Sequence, residues 1–302
     1  MTSTPASRRE FLGAAAALAA LPWLSACSTP LPLTQPVPPS QTDAERLLGA
    51  SAEAHGLAAY QALNDINVRY EGEWRPLIDR IQPVVVDKTF RGGSEERILP
   101  AARIVAQAYT GSAGRKQVRW QRAAEASDAP GDVAVWFNGA ATADPEVLSA
   151  SALVAEAYGL FLLGPMWLTG RGFAVQRAGT ERVDGRLCDV VNVWLRPSLG
   201  RSPQDRVAVC IDQASGLTRR VRFTLEGTAN TAGAVAQVDT FEHERRFGVM
   251  WPMRSYEEVV HPIRLPAHDW RVAGLDVNRG YAADALAGPR FSGTAAAPAA
   301  AL

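Results

Sequence analysis

From Arg171 onward the chain is divided into strand-length pieces at spacings near ten residues: Phe173 to Arg177, Leu187 to Leu195, Arg206 to Ile211, Thr218 to Glu226, Ala234 to Phe241, Arg245 to Trp251, Arg254 to His261 and Asp269 to Val277. Asp184-Gly185, Ser215-Gly216 and Phe247-Gly248 punctuate them as turns, so the pieces read as an antiparallel meander. Within one of them Leu217, Val221, Phe223 and Leu225 alternate with Arg220, Arg222, Thr224 and Glu226, which gives that strand one dry and one wet face. A long antiparallel sheet with a dry face needs a cover, and helices in this chain are few.

Two segments can serve. Asp43 can cap a helix from Ala44 to about Leu63, although Gly49 and Gly56 weaken it. Asp144 to Leu168 has the length and helix formers of a second, with Asp144 and Pro145 in cap and first-turn positions and a stop at Gly164-Pro165. Between Val147 and Leu163 its sole charge is Glu156, so it is apolar on more than one face, the pattern of a helix packed on both sides. The Gly-Pro break argues against a membrane span. Between the helices, the period-two pattern of Ile66, Val68 and Tyr70 predicts a strand, as do Pro83 to Phe90, Arg97 to Tyr109, Gln117 to Arg122 and Asp132 to Phe137. No βαβ alternation appears, which argues against a parallel sheet. The class is α+β, mainly antiparallel β.

The first segment addresses the compartment. Ser7 to Cys27 reads SRREFLGAAAALAALPWLSAC: a pair of arginines, an apolar run too short to span a bilayer, then small residues before a cysteine. Ser7-Arg8-Arg9-Glu10-Phe11-Leu12 resembles the twin-arginine export motif, and Leu24-Ser25-Ala26-Cys27 resembles the lipobox of bacterial lipoproteins. That resemblance implies recognition through Arg8 and Arg9, removal of residues 1–26 and a covalent lipid on Cys27. Ser28 after the cysteine then points to the periplasmic side of the outer membrane rather than the inner membrane. Ser28 to Thr42 carries five prolines and no charge, the composition of an extended tether. Residues 27–42 are therefore expected to be anchor and tether, 43–293 a single β-rich domain, and the Ala-rich 294–302 a frayed or interacting tail.

Lys+Arg 31 balance Asp+Glu 31, which removes the electrostatic basis for a nucleic-acid partner. Membrane attachment would depend on the lipid anchor. Chemistry is sparse. The histidines His55, His243, His261 and His268 form no metal-ligand spacing, and neither a nucleophile elbow nor a phosphate-binding glycine loop occurs, so no catalytic residue, metal or further cofactor is assigned. An envelope hydrolase or metal-dependent enzyme using His243, His261 and His268 is the alternative. Cys188 and Cys210 lie on successive strands, which leaves open a cross-strand disulfide or two buried thiols.

The order of signal, proline tether, N-terminal helix, antiparallel strands, inserted apolar helix and further strands resembles the lipoprotein-localisation carriers of the LolA/LolB type. The resemblance implies a curved, unclosed β-barrel, or half-barrel, lidded by helices and holding acyl chains against its concave face. Trp120, Trp136, Tyr158, Phe161, Leu162, Trp167 and Phe223 are then the expected lining, although ordinary core packing uses the same residue types. The function that follows is binding of a hydrophobic ligand, lipid or lipoprotein acyl chain, in envelope transport or sensing, without catalysis and with room for an envelope protein partner. A structural lipoprotein in an assembly is the second alternative.

Overall fold

The strand-length pieces form one sheet. A computed structural model describes residues 36–123, 130–195, 199–200, 204–224, 233–289 and 291; the signal, lipobox, Cys27 and the Ala-rich tail lie outside these residues. The chain enters through helices α1 (Thr42–His55) and α2 (Leu57–Gln61), strand β1 (Ile66–Trp74) and the short helices α3 (Pro76–Ile81) and α4 (Pro83–Val86). Strands β2 (Gly93–Leu99), β3 (Ile104–Gly111), β4 (Gly114–Gln121), β5 (Asp132–Phe137) and the two-residue β6 (Ala140–Ala141) follow. Helices α5 (Pro145–Leu163) and α6 (Pro165–Leu168) lead into β7 (Ala174–Val183), β8 (Arg186–Leu195), β9 (Asp205–Asp212), β10 (Thr218–Thr224), β11 (Val235–Arg246), β12 (Val249–His261) and β13 (Leu265–Val277).

Strand order is β6-β5-β4-β3-β2-β1-β13-β12-β11-β10-β9-β8-β7. Each neighbour is antiparallel. The first and last strands pair in the middle, so two meanders run outward and end at the separate edges β6 and β7. The barrel is not closed.

Curvature follows from contacts of α5. It meets β4 through Glu156, whose Oε2 accepts from Trp120 Nε1 at 2.7 Å, and β10 through Phe161, whose ring lies 5.2 Å from that of Phe223. Seven strand spacings separate β4 from β10 in the sheet order, about 34 Å in a flat sheet at the usual spacing. A helix is only about 10–12 Å across with its side chains. Both contacts require the sheet to curl around α5, which is the expected half-barrel. The concave face carries Ile66, Val68, Ile98, Val105, Trp120, Val191, Val193, Val209, Val221, Phe223, Val238 and Trp251 in one buried cluster with α1, α5 and α6. By length and composition α5 is apolar enough to cross a membrane, and 78% of that stretch is buried against the rest of the protein.

Several boundaries differ from expectation for local reasons. Helix α1 stops at Gly56, which has φ +96 and lies so close to Gly248 that a Cβ would meet its carbonyl oxygen at 2.4 Å; the N-cap is Gln41, with Asp43 in the first turn. Pro83 to Phe90 is not a strand: Pro83 starts α4, Asp87 at φ +51 ends it, and Val86 packs with Ile78 and Ala267 instead of joining the sheet. Arg97 to Tyr109 is two strands turned at Pro100–Arg103, where Arg103 adopts φ +56. The three pieces between Ala234 and His261 are two long strands, joined at Phe247-Gly248, with Glu242 at φ +52 where β11 was expected to end.

The convex face is held by charges and by the C-terminal segment. Arg220 pairs with Asp239 and Glu181, and Arg222 shares Glu181. Asp65 accepts from the backbone N–H groups of Arg279, Gly280 and Tyr281, so the Asn278-Arg279-Gly280 turn is a structural anchor. Beyond it Leu286 and Phe291 cover Leu99, Ile104 and Ala106. Edge strand β7 is guarded at its start, where Gln41 N donates to Val175 O and Ser40 Oγ accepts from Val175 N.

Candidate functional site: an apolar cavity with one carboxylate

The seven expected lining residues divide into two groups. Trp120, Tyr158, Phe161, Leu162, Trp167 and Phe223 are buried on the concave side, and they fill it. The rings of Tyr158 and Phe161 pack tilted against Trp270 at 5.4 and 6.0 Å, and the gap left between this part of α5 and the centre of the sheet is about 10 Å³. That is at most the space of one water. Trp136 belongs to the other face. In β5 it is Val133 and Val135 that stand beside Trp120 and Val118, so Trp136, one residue out of phase, sits beside Gln117 on the opposite side.

Trp120 and Trp167 have a polar task. The buried Glu156 accepts from both indole N–H groups, at 2.7 and 3.0 Å, and from Arg171 Nη1 at 3.3 Å, while the Arg122 guanidinium lies over the Trp167 ring at 4.5 Å. The one buried charge of α5 thus ties the helix to β4, to α6 and to the segment leading into β7.

Open space lies along the N-terminal half of α5. A cavity of about 240 Å³ is walled by Trp74, Ile78, Val85, Leu153, Val259 and Leu265. It forms because β1 ends at Trp74 and two prolines, Pro76 and Pro83, start short helices that arch over the ends of β12 and β13 instead of continuing the sheet. Its mouth lies between Ile81, 40% exposed, and Ile263, 60% exposed. Exposed aliphatic side chains so close together cost solvation unless something covers them. None of these residues was expected to line a cavity. The available signal was the run Pro76-Leu77-Ile78 and the pair Ile263 and Leu265, apolar residues beside prolines in what read as connections.

One wall residue is charged. Glu257 of β12 stands directly opposite His268 of β13 on the concave face, and burial pushes its carboxyl up to about 7, with Arg91 pulling it partly back. Glu96, nearby under the same helix, is also raised by burial to about 7, and it accepts from Gln107 Nε2 at 2.5 Å and Tyr70 Oη at 3.4 Å.

His243, His261 and His268 are not brought together. His268 is stacked between Trp74 at 4.1 Å and Trp270 at 4.6 Å, with Nδ1 3.2 Å from Tyr158 Oη, and burial drives its pKa well below the usual value. His243 contacts Arg219 at 3.1 Å and the ring of His55; both imidazoles are lowered to about 4 by burial. His261 ends β12 at the hairpin. Among the described residues no three metal-ligating side chains gather.

Cys188 and Cys210 are unbonded and buried. Folding β8 onto β9 sets Cys188 against Asp212 and Cys210 against Val190, so the thiols are diagonal neighbours two residues out of register rather than a facing pair. Burial raises the pKa values of both thiols.

No protein-family model matches the chain, and no curated protein matches it. Among solved structures it is similar to a DUF1329 family protein from Desulfovibrio piger, at 10% identity, covering 82% of this chain and 98% of that one, with a TM-score of 0.48. It is also similar to a LolA superfamily protein from Nitrosomonas europaea, at 11% identity, covering 80% and 96%, with a TM-score of 0.47. What the cavity can hold follows from its own walls.

Proposed function

We propose that this protein binds a hydrophobic ligand, a lipid or lipoprotein acyl chain, in the cavity between the concave sheet, α5 and the α3–α4 arch. The observation that carries this reading is the cavity itself: apolar on nearly every side, open to solvent, and edged by exposed Ile81 and Ile263. An unfilled apolar space of this size is costly in a packed interior, at roughly 20 cal/mol per Å² of its surface, and a chain of methylenes would remove that cost. The role is binding, in transport or sensing, and not catalysis. The twin-arginine-like signal and the lipobox support an envelope location, with acylated Cys27 tethering the domain to the outer membrane, and a protein partner in the envelope is compatible with this placement.

Two experiments test the parts separately. A neutral fluorescent probe that brightens in apolar surroundings is expected to bind the protein stoichiometrically, and Val259→Trp, which fills the cavity, to abolish the signal while the fold is retained. Binding that survives the filled cavity would place the ligand elsewhere. For the anchor, Cys27→Ser is expected to release the protein from membranes; a variant that fractionates quantitatively with membranes would refute acylation at that residue.

A further inference from the structure

A pocket for acyl chains alone has no use for Glu257. Its neighbour Glu258 is paired, accepting from Gln237 Nε2 at 2.8 Å and lying 3.5 Å from Arg264. The Glu257 carboxyl has no hydrogen-bond or ion-pair partner among the described residues, and its accessible surface lines the cavity. The groups packed around it do not supply one. His268 is committed to Tyr158 and to its two indole neighbours. Arg91 lies outside the cavity wall, donating to Val85 O at 3.0 Å with its guanidinium 4.5 Å from the Tyr109 ring. Glu96 is satisfied by Gln107 and Tyr70 and adds a second negative group to the same interior.

Position matters as much as charge. Four residues of β12 separate Glu257 from His261 at the hairpin, about 13 Å along an extended strand, so the carboxyl is at the inner end and the apolar rim of Ile81 and Ile263 at the outer. A volume of about 240 Å³ is below the usual range for drug-sized ligands, which suits one chain and not two or three.

We propose that the cavity takes a single-chain lipid headed by a protonated amine, its ammonium on Glu257 and its chain running out between Ile81 and Ile263. The ammonium supplies the donors the buried carboxylate lacks, in surroundings where a charge-assisted hydrogen bond is strong. A carboxylate or phosphate head would meet Glu257 with like charge in an apolar wall, and a head without a donor would leave it unpaired. This inference rests on the cavity reading above.

The test is displacement of N-phenyl-1-naphthylamine from the full chain at pH 8 by dodecylamine, dodecanol and dodecanoate, in wild type and Glu257→Gln. Dodecylamine is expected to compete at least about tenfold more strongly than dodecanol in wild type, with dodecanoate weakest. In Glu257→Gln the amine advantage disappears while dodecanol affinity is kept, which also reports that the variant folds. Dodecanoate matching dodecylamine in wild type, or an amine preference that survives Glu257→Gln, overturns the headgroup assignment and leaves the cavity reading intact. Failure of the probe and all three chains to bind overturns both.

Discussion

Glu156 is the place where a single change should cost this fold most. Its carboxylate is buried, accepts from two indole N–H groups at 2.7 and 3.0 Å, and pairs with Arg171 at 3.3 Å, while Arg122 lies 3.9 Å away. Glu156→Ala takes the carboxylate from two partly buried guanidinium groups, which costs at most about 3–5 kcal/mol, the loss for a broken buried pair. The orphaned indole donors add roughly 1–3 kcal/mol each if water cannot reach them. The sum approaches the whole stability of an ordinary domain, about 5–15 kcal/mol, so the expected result is a protein that is largely unfolded or recovered only at low temperature. Glu156→Gln retains an acceptor oxygen for one indole but not the charge, and is expected to fold with an intermediate loss. The assay is urea unfolding followed by the summed fluorescence of the chain's eight tryptophans, Trp120 and Trp167 among them, with circular dichroism as an independent probe. A loss below about 1 kcal/mol for Glu156→Ala would refute the reasoning, because a removal that mild is typical of exposed ion pairs.

Three further outcomes follow from other side chains. Glu257 has its folded pKa raised from 4.5 to about 7, so the folded state holds the proton more tightly than the unfolded one and loses stability as pH rises from about 4.5 to 7. Glu257→Gln is therefore expected to stabilise the ligand-free protein at pH 8 by up to about 3 kcal/mol and to make little difference at pH 4, checked by denaturant midpoints at both values; equal midpoints at pH 8 would contradict an unpaired carboxylate. Phe161→Ser should lower stability by about 3–5 kcal/mol with probe binding unchanged at temperatures where the variant is folded, because Phe161 fills the core beside Phe223 and Trp270 and does not line the cavity. Cys188 and Cys210 should resist thiol reagents in the native state and titrate as two thiols after unfolding, without prior reduction; a mass two daltons lower than the reduced chain would show a disulfide instead.

Much of the architecture was legible from alternation and turn chemistry. The one-faced pattern around Val221 and Phe223, the Asp-Gly and Phe-Gly turns, and a helix whose apolar residues surround a single glutamate together call for a curved sheet wrapped on a helix. The cavity was not legible, because greasy residues on a helix signal contact without saying whether the contact is closed. Tyr158 and Phe161 meet Trp270 across a gap of about 10 Å³, whereas Ile78, Val85 and Leu265 leave space, and the difference depends on how two proline-started helices arch over strand ends 180 residues away. Trp136 shows the smaller version of the same limit: its period-two phase is set by pairing with β4, and nothing in the six residues of β5 says which face is concave. The cysteines make the point for register, since a nine-residue connection fixes that β8 and β9 are neighbours but not that Cys188 falls opposite Asp212.

The central claim is that the cavity under the α3–α4 arch is occupied in the cell. Native mass spectrometry of the full chain, purified without detergent exchange from the envelope of its expression host, tests this most directly, with lipid extraction to identify what is bound and Ala267→Trp as the filled control. The account predicts one single-chain lipid per protein in wild type and none in the filled variant. Wild-type protein that arrives empty, or lipid retained at the same stoichiometry in Ala267→Trp, would contradict it.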